Sequence, residues 1–497
     1  MNGIEQHLPA LQVVVPMLSA AVVMLLKPRG LAWAASTAAS LFAFAIAVSM
    51  TLVTLDGESI QYFMGNWPAP YGIELRVDAL SALMLLVVTG ASSMALLAGS
   101  RSIDSQIEIE RQPLFYTAWL LVLAGLCGIL VSADAFNIFV FMEISSLASY
   151  VLVAGGPDRR ALPAVFKYLV MGTVGATFYL IGIGLIYLMT GTLNLADLEW
   201  RIYEVGDQKP ILVAAGFITI GLALKAAVFP LHVWLPNAYT FAPNMVTVFL
   251  AACATKVSIY VLLRFDFFVL QSNLAGHDLQ FGYFLMPLAI LGILVASAVA
   301  MFEANLKRLL AWSSVAQIGY IILGASLVSQ AGLTASIIHI FNHALAKGAL
   351  FLALAGIGVS LSRMTLDSVA GIARKMPWTM AAFVLGGLSL VGIPGTAGFI
   401  SKWYLISAAA AAGGIGILLI AIILVSSLMA LVYIWRVIES AYFGAIASDS
   451  GELREAPLPL LLGAWITALA NIYFGLSPDV PLDLSQTAAD ILLGHLR

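Results

Sequence analysis

Six basic residues lie within long apolar runs, where a charge is costly: Lys167, Lys225, Lys256, Lys347, Lys402 and Arg436. One carboxylate, Glu143 in Asn137-Ile-Phe-Val-Phe-Met-Glu143, lies near the middle of another such run. A buried carboxylate without a cation is expensive, so Glu143 is expected to pair with a lysine from a different helix. His339, His343 and Lys347 follow one another at intervals of four, which places them on one stripe of a helix. Two histidines with no carboxylate or cysteine nearby make a poor metal site. They are either hydrogen-bonded packing residues or steps of a proton path, since imidazole both accepts and donates. His232, within Phe229-Pro-Leu-His232-Val-Trp-Leu-Pro236, is a secondary candidate. Lys167 is another, near enough to the end of its run either to serve the path or to snorkel to the interface. Arg436 is expected to snorkel, and Asp134, Glu303 and Glu439 to sit at run ends.

This set suits protons better than sodium. Sodium wants several oxygen ligands, and the interior offers essentially one carboxylate against up to five lysines. Desolvation disfavours a buried lysine's charge and a nearby carboxylate restores it. At about 7 Å and an effective dielectric near 20, such a carboxylate is worth roughly 2.4 kcal/mol. Opening and closing a Glu143–lysine pair would therefore switch proton release.

The runs that hold these groups read as membrane helices. The chain has 497 residues, 61% hydrophobic and 10% charged, with mean hydropathy +1.00. Soluble domains carry about 25% charge. A net charge of -3 argues against a nucleic-acid partner. Cys127 and Cys253 read as buried small hydrophobes. Leu8 to Leu26 has no Lys or Arg before it and Lys27 and Arg29 after it, the reverse of a signal peptide. At about 20 apolar residues per crossing, some fourteen spans are expected, and no alternating pattern suggests a barrel. The expected fold is thus an all-α integral membrane protein, residues 1–497 forming one membrane domain.

Of the 23 basic residues, twelve fall in one set of alternating loops, including Lys27, Arg29, Lys307 and Arg308. Five fall in the other set and the C-terminal tail: Arg76, Arg201, Lys209, Arg264 and Arg497. The positive-inside rule then puts both termini outside the cytoplasm of a cell's inner (plasma) membrane. Two spans carry helix breakers deep inside: one ends Lys225-Ala-Ala-Val-Phe-Pro230, and the other holds Gly392-Ile-Pro394-Gly395-Thr-Ala-Gly398. Each is the fourth span of a five-span group, 114–264 and 283–443, flanked by 1–99 and 456–476. Five is odd, so the second group must run inverted relative to the first. Paired broken helices in inverted repeats are an ion-transporter architecture.

Phe136–Tyr150 around Glu143, Leu224–Pro243, Ala254-Thr-Lys256-Val-Ser, Asn305–Tyr320, the histidine stripe and Gly392–Trp403 together resemble one family. It is the antiporter-like subunit family shared by respiratory complex I, membrane-bound hydrogenases and Mrp-type multisubunit cation/proton antiporters. The likeness covers nearly the whole chain and looks strongest to the D-type subunit of Mrp antiporters, through Phe136–Glu143 and Leu188–Leu198. It implies fourteen helices in two inverted five-helix repeats. It also implies that Glu143 and Lys225 form the charge pair of an entry half-channel and that Lys256 is the central relay. His339 and His343 would link the halves, and Lys402 would serve the exit half-channel. Sister membrane subunits are implied as partners, with protons and monovalent cations as cargo. No flavin, haem, iron–sulfur or nucleotide motif is present, so no cofactor or metal is expected. The rival readings are a proton-pumping subunit of a redox complex, a scaffold without an ion path and a stand-alone cation channel.

Overall fold

A computed structural model describes residues 5–26, 28–206, 209–270, 279–361, 363–445 and 453–495. Lys27 and Arg497 lie outside the described residues. The apolar runs become helices because lipid leaves the backbone no other hydrogen-bond partner. Helices α1 (Leu8–Leu25) and α2 (Arg29–Leu55) pack together and lead into a small antiparallel hairpin. Its strands are β1 (Ile60–Phe63) and β2 (Glu74–Val77), with Ile60 opposite Val77 and Phe63 opposite Glu74. Then come α3 (Ala79–Gln106), α4 (Gln112–Val131), α5 (Ala135–Ala154) and α6 (Ala161–Thr190). A short amphipathic α7 (Leu195–Val205) precedes α8 (Lys209–Ala226), α9 (Leu235–Phe241) and α10 (Asn244–Leu263).

The second half contains α11 (Met286–Phe302), α12 (Leu306–Ala325), α13 (Gln330–Ser360), α14 (Pro377–Val391), α15 (Ala397–Ala411) and α16 (Gly416–Phe443). Finally, α17 (Leu458–Leu476) is followed by an amphipathic α18 (Asp479–Leu492). Thirteen helices among the described residues are long and apolar enough to cross a bilayer. The fourteenth crossing is shared by α14 and α15, 15 residues each. At 1.5 Å per residue each is about 22 Å long, too short to span alone.

The two interruptions fall where the breakers stand. Helix α8 stops at Ala226, short of the expected Pro230, and Ala227 takes a left-handed φ of 57°. Between α14 and α15, Gly392 and Gly395 turn the chain at φ 89° and 84°. The same neighbours meet around both breaks: α4 packs on α5 as α11 packs on α12, and α6 holds α8 as α13 holds α14 and α15. The α6–α8 contact is close because Gly175 and Gly221 face each other's backbone; a Cβ at Gly221 would lie 2.5 Å from the Gly175 carbonyl oxygen. Small residues permit this approach in membranes.

At the hairpin end, loops are stitched to one another. Ala133 donates to the Glu74 carbonyl, and Ala135 and Leu195 bond across the 133–193 strands of loop. Asp134 caps α5 by accepting from Asn137 N at 2.8 Å, and burial raises its carboxyl above the usual carboxylate range. Beneath lies an ion pair that the loop assignment of Arg264 did not foresee. Arg264 grips Asp78, the N-cap of α3, through two bonds of 2.7 and 2.8 Å. Arg264 is buried because a π-helical turn, Arg264–Val269, prolongs α10 and lies against α7 and α18. The same turn buries Asp266 completely, so the interior holds more than the one expected carboxylate. Lys307, also expected in a loop, is buried and donates to the Ala242 carbonyl at 2.8 Å.

Removing one partner from a buried ion pair strands the other, at a cost of about 3–5 kcal/mol. Asp78→Asn is therefore expected to lower thermal stability in detergent at pH 7 by that amount. Burial opposes the Asp78 charge, but Arg264 outweighs it and holds the carboxyl at about 2, below the ordinary 3.8. A depressed acid stabilises above its ordinary value and loses that contribution as pH falls toward the folded value. The wild-type advantage over Asp78→Asn should thus persist down to about pH 4 and vanish near pH 2.

Candidate functional site

Glu143 meets Lys225, as the cost of an unpaired buried carboxylate requires. The Lys225 ammonium lies 3.3 Å from Glu143 Oε1 and donates to Ser146 Oγ at 2.6 Å. Helix α5 supplies both acceptors, three residues apart, so they share a face. Lys225 occupies the last turn of α8, where unpaired carbonyls attract a cation. Its side chain is 6% exposed and that of Glu143 is 26% exposed, so the carboxylate is the outer member. A small cavity of mixed lining adjoins the pair, with Ser145, Ser146, Ser149, Tyr150, Lys225 and Ser258 among apolar walls such as Leu126 and Met142. Its volume of about 30 Å³ has room for roughly two waters. It reaches Ala254, Val257 and Ser258, which flank Lys256 on α10.

Lys256 is fully buried and its ammonium donates to the Ala251 carbonyl of its own helix. Helix α10 lies along α13. The stripe on α13 is real but its members are held differently. His339 is bonded at both ring nitrogens, to Ser401 Oγ at 2.8 Å and Gln317 Oε1 at 2.9 Å. The His343 ring stacks on it at 6.1 Å between centroids, and neither His343 nitrogen has a protein partner. Lys347 donates to the Leu310 carbonyl and to Ser313 Oγ, both on α12.

Lys402 lies at the second break. Its ammonium donates to the carbonyls of Leu390 and Val391, the last turn of α14, at 3.2 and 2.8 Å. Ser427 Oγ on α16 accepts a third bond at 3.0 Å. The Tyr320 ring stands between Lys402, 5.0 Å from its centroid, and His339, 5.7 Å away. Gly392 is required here twice over: its φ is left-handed, and a Cβ would lie 2.8 Å from Lys402 Cδ.

Glu143, Lys225, Lys256, His343, His339, Lys347 and Lys402 thus lie in series on neighbouring helices from α5 to α15, all buried except the half-exposed Glu143. Lys167 does not join it: it is exposed on the outer face of α6, beside exposed Phe166, Leu169 and Val170. His232 is buried beside the first break, stacked on Phe229 and edge-on to Trp312 at 5.0 Å. Arg436 is half-buried and its guanidinium donates to the Met301 carbonyl near the end of α11. Ser146, Ser313, Gln317, Ser401 and Ser427 were not singled out by sequence. Serine at a helical position in an apolar span carries no signal of its own. Among the described residues no cluster of three or more His, Cys, Asp or Glu could hold a metal.

The family described as "NADH:quinone oxidoreductase/Mrp antiporter, TM" matches residues 132–430, from the end of α4 into α16. The chain belongs to this family. "NADH-quinone oxidoreductase subunit N" of Desulforudis audaxviator is 41% identical, covering 91% of this chain and 90% of that one. The D-type subunit of the Na(+)/H(+) antiporter of Bacillus subtilis is 31% identical, covering 97% and 96%. Among solved structures, a chain of the Mrp complex from Dietzia superposes with TM-score 0.90 at 28% identity, covering 99% and 98%. A chain of the archaeal membrane-bound sulfane sulfur reductase also reaches 0.90 at 30% identity, covering 98% and 97%. The protein is a multi-pass membrane subunit of this family, and its neighbours are parts of multisubunit assemblies.

The Gly392–Lys402 contact separates two effects that share one backbone strain. Gly395 has a similar φ of 84° but open space around a Cβ. Forcing a left-handed turn on alanine costs about 1–2 kcal/mol at either site. Both Gly392→Ala and Gly395→Ala should lose that stability in thermal melts. Only Gly392→Ala should also cut proton movement by the assembled complex, at least threefold, by pushing Lys402 off the α14 carbonyls.

Proposed function

We propose that the chain is the proton-translocating subunit of a multisubunit monovalent cation/proton antiporter of the Mrp kind, in the position of its D-type member. The observation that carries this reading is the Glu143–Lys225 pair, seated at a helix break beside a water-sized cavity lined in part by serines. A proton held on Lys225 is stabilised by Glu143; when the pair parts, the ammonium loses that charge and releases its proton to water in the cavity. Lys256 takes it up beyond the cavity. His343 and His339 pass it on through ring nitrogens, with Lys347 holding charge beside them, and Lys402 delivers it at the second break. In this reading residues 114–264 and 283–443 are inverted five-helix repeats, each offering one half-channel around its broken fourth helix. Both termini face away from the cytoplasm, the membrane is the cell's plasma membrane, and sister subunits complete the cation path. The chain is then a secondary-transporter subunit rather than an enzyme.

A second reading follows from the 41% identity to a quinone oxidoreductase subunit. There the same row moves protons, but a redox partner drives it. The two are separated in inverted vesicles containing the complete complex, by following internal pH on addition of sodium or potassium and then of NADH. The antiporter reading expects a cation-driven pH change in wild type that falls to background in Lys225→Ala and Glu143→Ala. A response to NADH alone assigns the protein to a redox pump. Wild-type transport in both variants would reject a proton path through this pair.

A further inference from the structure

A second cavity lies on the far side of α13 from the histidine row and has the opposite character. Its volume is about 370 Å³, and its walls come from α2, α3, α10, α13, α17 and α18. An apolar cavity of about 150 Å³ already stays dry and takes up small hydrocarbons. Only two wall side chains are polar, Ser93 and Thr467. Both are engaged: Ser93 with Ser40 at 3.1 Å, Thr467 with carbonyls of its own helix. Water would find no free partner there. The depths are buried, as at Leu83, Leu352 and Val248, while the rim is open, with Leu41 at 39%, Leu97 at 43% and Ile466 at 54% exposure.

We propose that this cavity is a binding site for one acyl chain of a zwitterionic, ammonium-bearing phospholipid. The mouth opens sideways between membrane helices, where the surrounding solvent is hydrocarbon chains. The volume excludes a helix from a sister subunit, since one turn about 10 Å across and 5.4 Å high already needs more space. The headgroup follows from charge at the lip. Helix α18 contributes Val480, Pro481 and Leu484 to the wall, and carries exposed Asp479 and Asp483 beside them. No Lys or Arg occurs anywhere in α17 or α18. Such a lip attracts an ammonium and repels an anionic headgroup. Phe341, Ala344 and Gly348 line the cavity from the same turns of α13 that carry His339, His343 and Lys347. The acyl chain therefore buttresses the helix that bears the central part of the row.

The test uses the complete complex in nanodiscs containing phosphatidylethanolamine with a diazirine midway along one acyl chain. Illumination followed by peptide mapping should label buried cavity residues such as Leu83 and Leu352 as well as exposed positions on α16. Two variants fill the space: Gly348→Leu, where a Cβ meets only Thr467 at 3.5 Å, and Ala470→Phe on α17. Either one, if folded, should reduce cavity labelling at least tenfold and leave α16 labelling unchanged. Labelling of α16 without any cavity residue in wild type would overturn the proposal, as would cavity labelling that survives both variants. Equal labelling by a phosphatidylglycerol probe at the same mole fraction would overturn the headgroup assignment.

Discussion

An ammonium group inside a bilayer-spanning bundle must find acceptors, and an unbroken helix offers only the second lone pairs of carbonyls that are already bonded. Lys256 and Lys347 rely on such carbonyls, those of Ala251 and Leu310. Interrupting a helix releases carbonyls at its last turn, and both interruptions here are occupied by a lysine. Lys402 takes the freed carbonyls of Leu390 and Val391, while Lys225 stands at the end of α8. The break and the charge stabilise each other: either alone would leave polar atoms stranded in hydrocarbon. Gly392 at the second break follows from this, because a Cβ there would crowd the Lys402 side chain that reaches the α14 carbonyls.

The lysines differ in what they are held by, and the difference bears on proton movement. Lys256, Lys347 and Lys402 are bonded only to carbonyls and hydroxyls. Neutral acceptors of this kind serve an amine as well as an ammonium, so a proton can come and go without stranding them. Lys225 alone has a carboxylate, which distinguishes the two states. In the proposed path this concentrates the switching at one end of the row and leaves the remainder permissive. His343 fits the same logic, since its two unpartnered nitrogens are free to bond whatever enters next.

How much of this was legible beforehand depended on whether the physics was local. The breaks were legible because proline and glycine act on their own backbone. The need for a partner at Glu143 was legible because burial of a lone carboxylate is costly wherever it happens. Lys167 and Lys256 could not be told apart, because α6 and α10 are apolar on every side and their sequences do not say which face meets lipid. Lys167 proves to be outside and Lys256 completely enclosed. Arg264, Asp78, Asp266 and Lys307 were assigned to loops or left unremarked because they stand at span ends. They became interior only through tertiary cover by the π-helical turn, α7, α18 and the first break. The amphipathic pattern of α18 was available in the sequence, but the role of its apolar face required the cavity it closes.

A polar row in a membrane protein must also be insulated, which explains where it runs. Helices α10, α12 and α13 are covered on nearly every side, whereas α16 shows most of its surface to the outside. These three enclosed helices supply Lys256, His339, His343 and Lys347, the whole middle of the row, and Gln317, which bonds His339. A lysine on a helix with one lipid-facing side can turn toward the interface, as exposed Lys167 is placed to do; on an enclosed helix it cannot. The flanking helices α1, α2 and α17 carry no charged member of the row. Helices α3, α17 and α18 pack on α13, with α1 and α2 set outside them against α3 and α4. Without that cover the cost of each buried charge would be relieved by the interface rather than by the next group along, and the row could not serve as the proposed path.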